Sequence, residues 1–461
     1  GEAFEALNNI GNDQLPHIII LNDNGMAINE NTGALNSYLN KIRTSKQYTC
    51  LKEEVKSNLP SEKLVQAIHN FKEGIKGHIM SENIFSALNL DYIGPIDGHD
   101  IASLVAALEV AKKSKKPILL HVHTTKGKGY DFSESDINGK WHGVNRFDIN
   151  SGEPLDILDD NIKSFSQILA LNLENKMESD KDITVVCPAM ISGSKLDNIM
   201  NHYPQRTFDV GMCEEHAATF AAGLALNNKK VFLSLYSTFM QRCYDQINHD
   251  ICKMDLPVVI GLDRSGLVGE DGPTHHGLFD ISILRSLPNI IISQPKDGIE
   301  MAQLLDLAFN TDHPFVIRYG KNNISYDEKV VDSPIEVGTW TYEKINEPKQ
   351  VIITYGYEYE IIKCKLLAND MGAYLVNARF IKPLDYMMLD SIRQWNLPIY
   401  VYEQIYYIGS LAETLKAYYQ DTNLVINSIA LQDHYVTFGS VNDLKKHEHI
   451  DINSLFDSLE K

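Results

Sequence analysis

Short continuous apolar runs alternate with stretches of helical periodicity along most of the chain. The runs fall at 17–21, 117–123, 183–186, 230–235, 257–262, 290–292 and 314–319. Unbroken apolar stretches of strand length suit central strands of a parallel sheet covered on both faces. Between them the spacing predicts helices over 1–11, 101–113, 164–175, 217–226, 241–254 and 298–309. After about Glu328 a third series follows, with strands at 350–354, 373–376, 399–402 and 424–427 and helices at 358–369, 386–395 and 411–419. Strands alternating with helices throughout predict an α/β fold built on parallel sheets. Residues 30–90 read as polar helices and loops, with a surface segment at 45–60. The stretch 131–161 is rich in Asp, Ser, Gly, Asn and Pro and reads as an interdomain linker, with the pair Trp141-His142 inside it.

A chain of 461 residues exceeds one hydrophobic core and should divide into two or three domains. The pattern places them at 1–145, 164–328 and 329–461, with 146–163 as linker. A formal net charge of −19 argues against nucleic acid and anionic membranes, which need clustered basic surface. A phosphorylated substrate then requires a site that is basic locally, against the global sign. None of the six cysteines forms a CxxC pair or another metal-ligand spacing, a usage that suits a reducing cytoplasm. No apolar run approaches the ~18 residues of a membrane span, and no charged-then-apolar leader is visible.

Three stretches carry candidate chemistry. Asp209-Val-Gly-Met-Cys-Glu-Glu-His216 stands before a helix made almost wholly of small and apolar residues. A carboxyl at the mouth of such a helix either stays solvated, favoured by the helix dipole, or loses water and holds its proton more tightly. Lys126-Gly-Lys-Gly-Tyr130 follows a strand and reads equally as a phosphate-holding turn or a plain basic turn. The loop from Asp263 to Gly277 is Gly-rich and carries an arginine, acids and two histidines; ordered loops of this length at strand ends usually carry function.

Taken in order, the motifs resemble the 1-deoxy-D-xylulose-5-phosphate synthase family of transketolase-like thiamine diphosphate enzymes. The matching stretches include Ile20-Leu-Asn-Asp-Asn24, Tyr92-Ile-Gly-Pro-Ile-Asp-Gly-His-Asp100, Lys126 to Tyr130, Asp209 to Leu226, Tyr236-Ser-Thr-Phe-Met-Gln-Arg-Cys-Tyr-Asp245, Asp271-Gly-Pro-Thr-His275 and Phe380-Ile-Lys-Pro-Leu-Asp385. The resemblance implies three consecutive α/β domains: the remainder of a diphosphate-binding domain, a pyrimidine-binding domain and a C-terminal domain. It implies decarboxylative condensation of pyruvate with D-glyceraldehyde 3-phosphate, with thiamine diphosphate and Mg²⁺ as cofactors, in a cytoplasmic homodimer. Carried over by position, Glu214, His275 and His142 are the implied catalytic residues. Phe239, Tyr236, Lys126 and Met26 would bind cofactor; Asn24 and the Met26 carbonyl would hold the metal. Arg242, Arg264, Asp271 and Lys321 would bind substrate. Glu215 and His276 stand where the family has Gln, and neither receives a role.

Two departures shape the expectation. Where the family has Arg-Tyr-Pro-Arg-Gly, this chain has Arg318-Tyr-Gly-Lys-Asn322, so a phosphate-holding fork becomes the point charge of Lys321. The family's Gly-Asp-Gly motif, whose Asp completes the metal site, would precede Gly1. The expectation is therefore a fragment, or one piece of a split enzyme completed by a separate N-terminal segment, with little activity alone. The rival readings are another transketolase-type enzyme and a non-catalytic remnant.

Overall fold

The computed structural model describes residues 2–27, 31, 33–43, 83–144, 146–155, 161–326 and 334–460. The expected surface segment at 45–60 lies outside them. Two compact units divide the chain, Gly1–Asp156 and Ile157–Lys461.

In the first unit, strands β1 (Ile18–Asp23), β2 (Asp91–Asp97) and β3 (Ile118–His123) form a parallel sheet in the order β1-β3-β2. Helix Ile101–Ala111 is capped by Asp100, whose side chain accepts from the amide of Ala102. Its Ala106, Ala107 and Val110 pack on Ile93, Ile118 and Leu120. The expectation of a doubly covered strand at 17–21 is corrected here. Among the described residues β1 lies at the edge of this sheet, and Ile18 and Ile20 are 40% and 57% exposed.

The stretch expected as a linker contains the boundary between the two units and carries local structure before it. Tyr130, Phe132, Trp141 and Phe147 form an aromatic cluster with ring centroids 4.8–6.4 Å apart. Asp148 accepts from the amides of Asn150 and Ser151, and the Tyr130 hydroxyl donates to the Ile149 carbonyl. Scattered aromatics have no period, so a folded segment of this kind reads as a linker until its rings meet.

The second unit holds a seven-stranded sheet and a five-stranded sheet. β4 (Ile162–Ser164) leads into helix Phe165–Ser179 through a capping box formed by Ser164 and Gln167. β5 (Ile183–Cys187), β6 (Thr207–Asp209), β7 (Lys230–Tyr236), β8 (Val258–Asp263), β9 (Ile291–Ser293) and β10 (Phe315–Arg318) are mutually parallel. β11 (Asn323–Ser325) pairs antiparallel with β4. β12 (Thr341–Ile345), β13 (Val351–Thr354), β14 (Ala373–Asn377), β16 (Ile399–Tyr406) and β17 (Ile426–Leu431) build the second sheet in the order β12-β14-β13-β16-β17. β15 (Phe380–Lys382) leaves that region and adds an antiparallel edge to the first sheet beside β9.

The sheets are thus mainly parallel with antiparallel edges, which short polar strands such as β12 do not announce by an apolar run. The helix expected at 241–254 is also interrupted. It is a 3₁₀ turn Gln241–Cys243, a short α segment Tyr244–Gln246 and a π-helical stretch Ile247–Cys252. Such interruptions often mark functional segments.

Candidate active site

The parallel strands of the seven-stranded sheet deliver the second unit's candidate residues at their carboxyl ends, where open α/β sheets bind ligands. β6 ends at Asp209, β7 at Tyr236 and β8 at Asp263. Helix Glu214–Leu226 follows β6 and buries Glu214, Ala217, Ala218, Ala221, Ala222 and Ala225. That face repeats every three to four residues, so Glu214 points the same way as the small residues that pack inward. Its neighbour Glu215 falls off that face.

Glu214 is 4% exposed. Burial pushes its carboxyl above the ordinary carboxylate range, and its own amide at the helix start and the Arg242 guanidinium offset only part of this. Arg242 Nη1 donates to Glu214 Oε2, and Nη2 stands 3.5 Å from Glu215 Oε1. Glu214, Glu215 and Arg242 therefore form one charged group, half of it open to solvent.

One turn before Arg242, Phe239 belongs to an aromatic group. The Tyr236 and Phe239 rings stack with centroids 5.7 Å apart and planes 6° from parallel. His275 meets Phe239 edge-on at 5.5 Å, and Thr274 Oγ1 lies 3.0 Å from His275 Nδ1. On Tyr236, the Arg264 guanidinium carbon sits 4.9 Å from the ring centroid.

Arg264 is not a free substrate fork. Its Nη1 donates to Asp263 Oδ1 at 2.8 Å and to Ser166 Oγ at 3.2 Å, and its Nη2 to the Gly193 carbonyl at 3.2 Å. Burial works against its charge, yet the buried Asp263 carboxylate more than offsets that, and the guanidinium stays above its ordinary value. Ser166 and Gly193 fall in none of the sequence motifs, and Asp263 shows in the sequence only as the residue that opens the 263–277 loop. Lys321 Nζ meets Asp271 Oδ2 at 2.9 Å, with both side chains 42% exposed. Arg318, at the end of β10, is 2% exposed and forks onto Asp280 at 3.0 and 3.1 Å. It is committed to the interior.

The first unit brings together a second set. Asn24 Oδ1 accepts from the Met26 amide at 2.9 Å. Lys126 Nζ donates to the Ala27 carbonyl at 2.8 Å and lies 3.1 Å from His142 Nδ1. Burial lowers the Lys126 pKa, with Asp136 opposing. The sequence reading did not single out the buried series beneath them. Tyr92 Oη lies 2.7 Å from His121 Nδ1, and His121 Nε2 lies 3.1 Å from Asp23 Oδ2. Asp23 also accepts from the Gly25 amide at 3.0 Å. Among the described residues no group of three or more His, Cys, Asp and Glu could hold a metal ion.

A sequence profile described as 1-deoxy-D-xylulose-5-phosphate synthase matches residues 1–124, and the transketolase pyrimidine binding domain matches residues 163–326. The chain is 42% identical over 455 residues to a 1-deoxy-D-xylulose-5-phosphate synthase of Listeria innocua, covering 96% of this chain and 72% of that protein. It is 40% identical over 471 residues to the same-named protein of Alkaliphilus oremlandii, covering 100% and 75%. A solved structure described as a split gene transketolase, an inactive beta4 tetramer, superposes with a TM-score of 0.56 at 20% identity, over 64% of this chain and 97% of that one. This likeness places the fold among the transketolase-like α/β proteins.

Proposed function

The chain belongs to the 1-deoxy-D-xylulose-5-phosphate synthase family, and on that premise we propose that it serves the decarboxylative condensation of pyruvate with D-glyceraldehyde 3-phosphate to 1-deoxy-D-xylulose 5-phosphate and CO2. The observation that carries the reading is a buried carboxyl with a raised pKa, Glu214, tied through Arg242 to the turn that carries the stacked Tyr236–Phe239 pair. That pairing fits the aminopyrimidine end of thiamine diphosphate, because a flat ring can lie on an aromatic face while a carboxyl that holds its proton more tightly than a free one does can hydrogen-bond a ring nitrogen. When bound, this cofactor supplies a carbanion and an electron sink that side chains lack.

The roles of the side chains follow from their chemistry. Glu214 would orient and protonate the pyrimidine, and Phe239 and Tyr236 would wall it. Arg242, half-exposed beside Glu214, would face the pyruvate carboxylate. His275, open on its Nε2 side in the contacts described, would exchange a proton with the acceptor's oxygen, with Asp271 as hydrogen-bond partner. Lys321 would hold the acceptor phosphate, and Arg264 would act through Asp263 and Tyr236. Lys126 would neutralise diphosphate charge, and His142 beside it would take part in proton transfer.

For Mg²⁺ the two residues carried over by position, Asn24 and Met26, offer only neutral oxygens. We propose that Asn24 Oδ1 and the Met26 carbonyl would serve as protein ligands of the ion, which would neutralise diphosphate charge. The proposed assignment by residue is diphosphate-binding 1–145, linker 146–163, pyrimidine-binding 164–328 and C-terminal 329–461. A homodimer in a reducing cytoplasm completes the proposal. The five described cysteines are free thiols, and no helix among the described residues is long and apolar enough to cross a membrane.

Product analysis with pyruvate and D-glyceraldehyde 3-phosphate tests the reaction. A deoxyketose phosphate with matching CO2 is the expected result; ketol transfer between sugar phosphates without CO2 would overturn it. Calorimetry with thiamine diphosphate tests the pocket separately, with Phe239→Ala expected to weaken binding by about tenfold, the scale of one lost stacking contact.

A further inference from the structure

Directly after His275 stands a second histidine that the family resemblance leaves without a role. His276 is 3% exposed. Its Nδ1 accepts from the amide of Val268 at 3.2 Å, and its Nε2 faces the carbonyl oxygen of Thr437 at 2.9 Å. An amide can only donate and a carbonyl can only accept, so the ring is neutral with its proton on Nε2. One imidazole thus joins two ends of the 264–277 loop to a segment some 160 residues later in the chain, lying outside the pyrimidine-binding match at 163–326.

That later segment is itself held in place. Val436 is 2% exposed. The Tyr406 hydroxyl donates to the His434 carbonyl at 2.9 Å, and His434 Nε2 meets the largely buried Glu448 carboxylate at 2.7 Å. Ser440 caps helix Val441–His447 by accepting from the Asp443 amide. On the opposite side, Gly269 and Gly272 adopt φ of +79° and +80°. A methyl group on Gly269 would stand 3.2 Å from the Gly439 carbonyl oxygen, and one on Gly272 3.4 Å from the Phe438 Cβ. The loop is pressed against residues 437–439, and its backbone there tolerates little besides glycine.

We propose that His276 is a positioning residue whose neutral Nε2–H tautomer clamps the loop bearing Asp271 and His275 onto the 434–440 segment, so that the C-terminal part of the chain sets the geometry of the acceptor side. What the loop does for an acceptor rests on the function proposed above; the clamp itself does not. Glutamine carries both an acceptor and a donor at its tip, whereas alanine carries neither, so the pair His276→Gln and His276→Ala separates hydrogen bonding from simple space filling.

Hydrogen exchange on the purified protein reads the clamp without turnover. In H276A the amides of residues 266–277 and 437–440 are expected to exchange about tenfold faster, the scale of one net hydrogen bond, with H276Q close to the parent protein. Unchanged exchange in H276A, or equal acceleration in H276Q, would overturn the proposal. Should H276A fail to fold, ¹⁵N shifts of the His276 ring in the parent protein decide: an Nε2–H neutral tautomer is required, and an imidazolium or an Nδ1–H tautomer sinks the clamp. Kinetics add a split, with KM for the aldehyde rising in H276A by about tenfold while KM for pyruvate holds within a few-fold. An exchange result as expected without any synthase product would remove the function reading and leave the clamp standing.

Discussion

The polar groups of the two units are spent in opposite ways. In the first unit Tyr92, His121 and Asp23 satisfy one another in the interior, and Asp23 also closes a local turn. In the second, Glu214 is buried yet shares Arg242 with Glu215, and its carboxyl sits above its ordinary pKa. A set that closes on itself contributes to stability and leaves little for a ligand. A set left unbalanced, with its arginine one turn from an aromatic pair, has something to gain from one. The comparison predicts that substitutions in the first set are read as stability and those in the second as activity or binding.

The largest effect that could break this contrast belongs to Glu214. Glu214→Gln is expected to lower kcat by about 10²–10⁴, the usual worth of a positioned acid or base, with the fold intact by circular dichroism. Glu215→Gln is expected to stay within a few-fold; equal losses would mean that the carboxyls have been assigned the wrong way round. Next comes Asp23→Ala. Leaving His121 and Tyr92 without their partner should cost about 3–5 kcal/mol in urea unfolding of the first unit, on the scale of a broken buried pair. A small cost there would erase the distinction.

A smaller effect concerns pH. The native Glu214 carboxyl keeps its proton to higher pH than a free carboxyl does. A hydrogen bond donated by that proton is therefore present below the native pKa and lost as pH rises through it. Removing Arg242 removes a cation that favours the carboxylate, so Arg242→Gln should carry thiamine diphosphate binding to higher pH. Calorimetry across pH measures this, and a move toward lower pH would contradict it. The smallest effect is expected at Lys321. Lys321→Arg restores a fork in place of a point charge and should lower KM for the phosphorylated aldehyde by a few-fold in steady-state kinetics.

Much of this was legible in the chain. The apolar runs at 183–186, 230–235 and 257–262 became β5, β7 and β8 because central parallel strands need no alternation to be recognised. Helix 298–309 has its expected limits, with Asp297 accepting from the Glu300 amide as cap. What the chain concealed depended on partners distant in sequence. Arg264 reads as an exposed fork until Asp263 and Ser166 close on it from 1 and 98 residues away. The Tyr92–His121–Asp23 series spans 98 residues, and nothing in the motifs around Asp23 and Tyr92 points to His121 as their shared partner. The interruption at 241–254 is invisible to an apolar period, since Ile247, Ile251 and Cys252 are buried in either geometry.

Phe380–Lys382 has a consequence for how the second unit is made. This strand closes the β9 edge of the seven-stranded sheet, although it is synthesised after β13 and β14 of the neighbouring sheet. While the nascent chain ends short of it, β9 presents unpaired amides and carbonyls to any passing strand. Emergence of Phe380–Lys382 from the ribosome, not completion of the pyrimidine-binding segment, is then the moment at which that edge of the sheet can be covered. A gene cut near residue 328 would make the exposure permanent, and both halves of the second unit should melt in one cooperative step while the chain between them is whole.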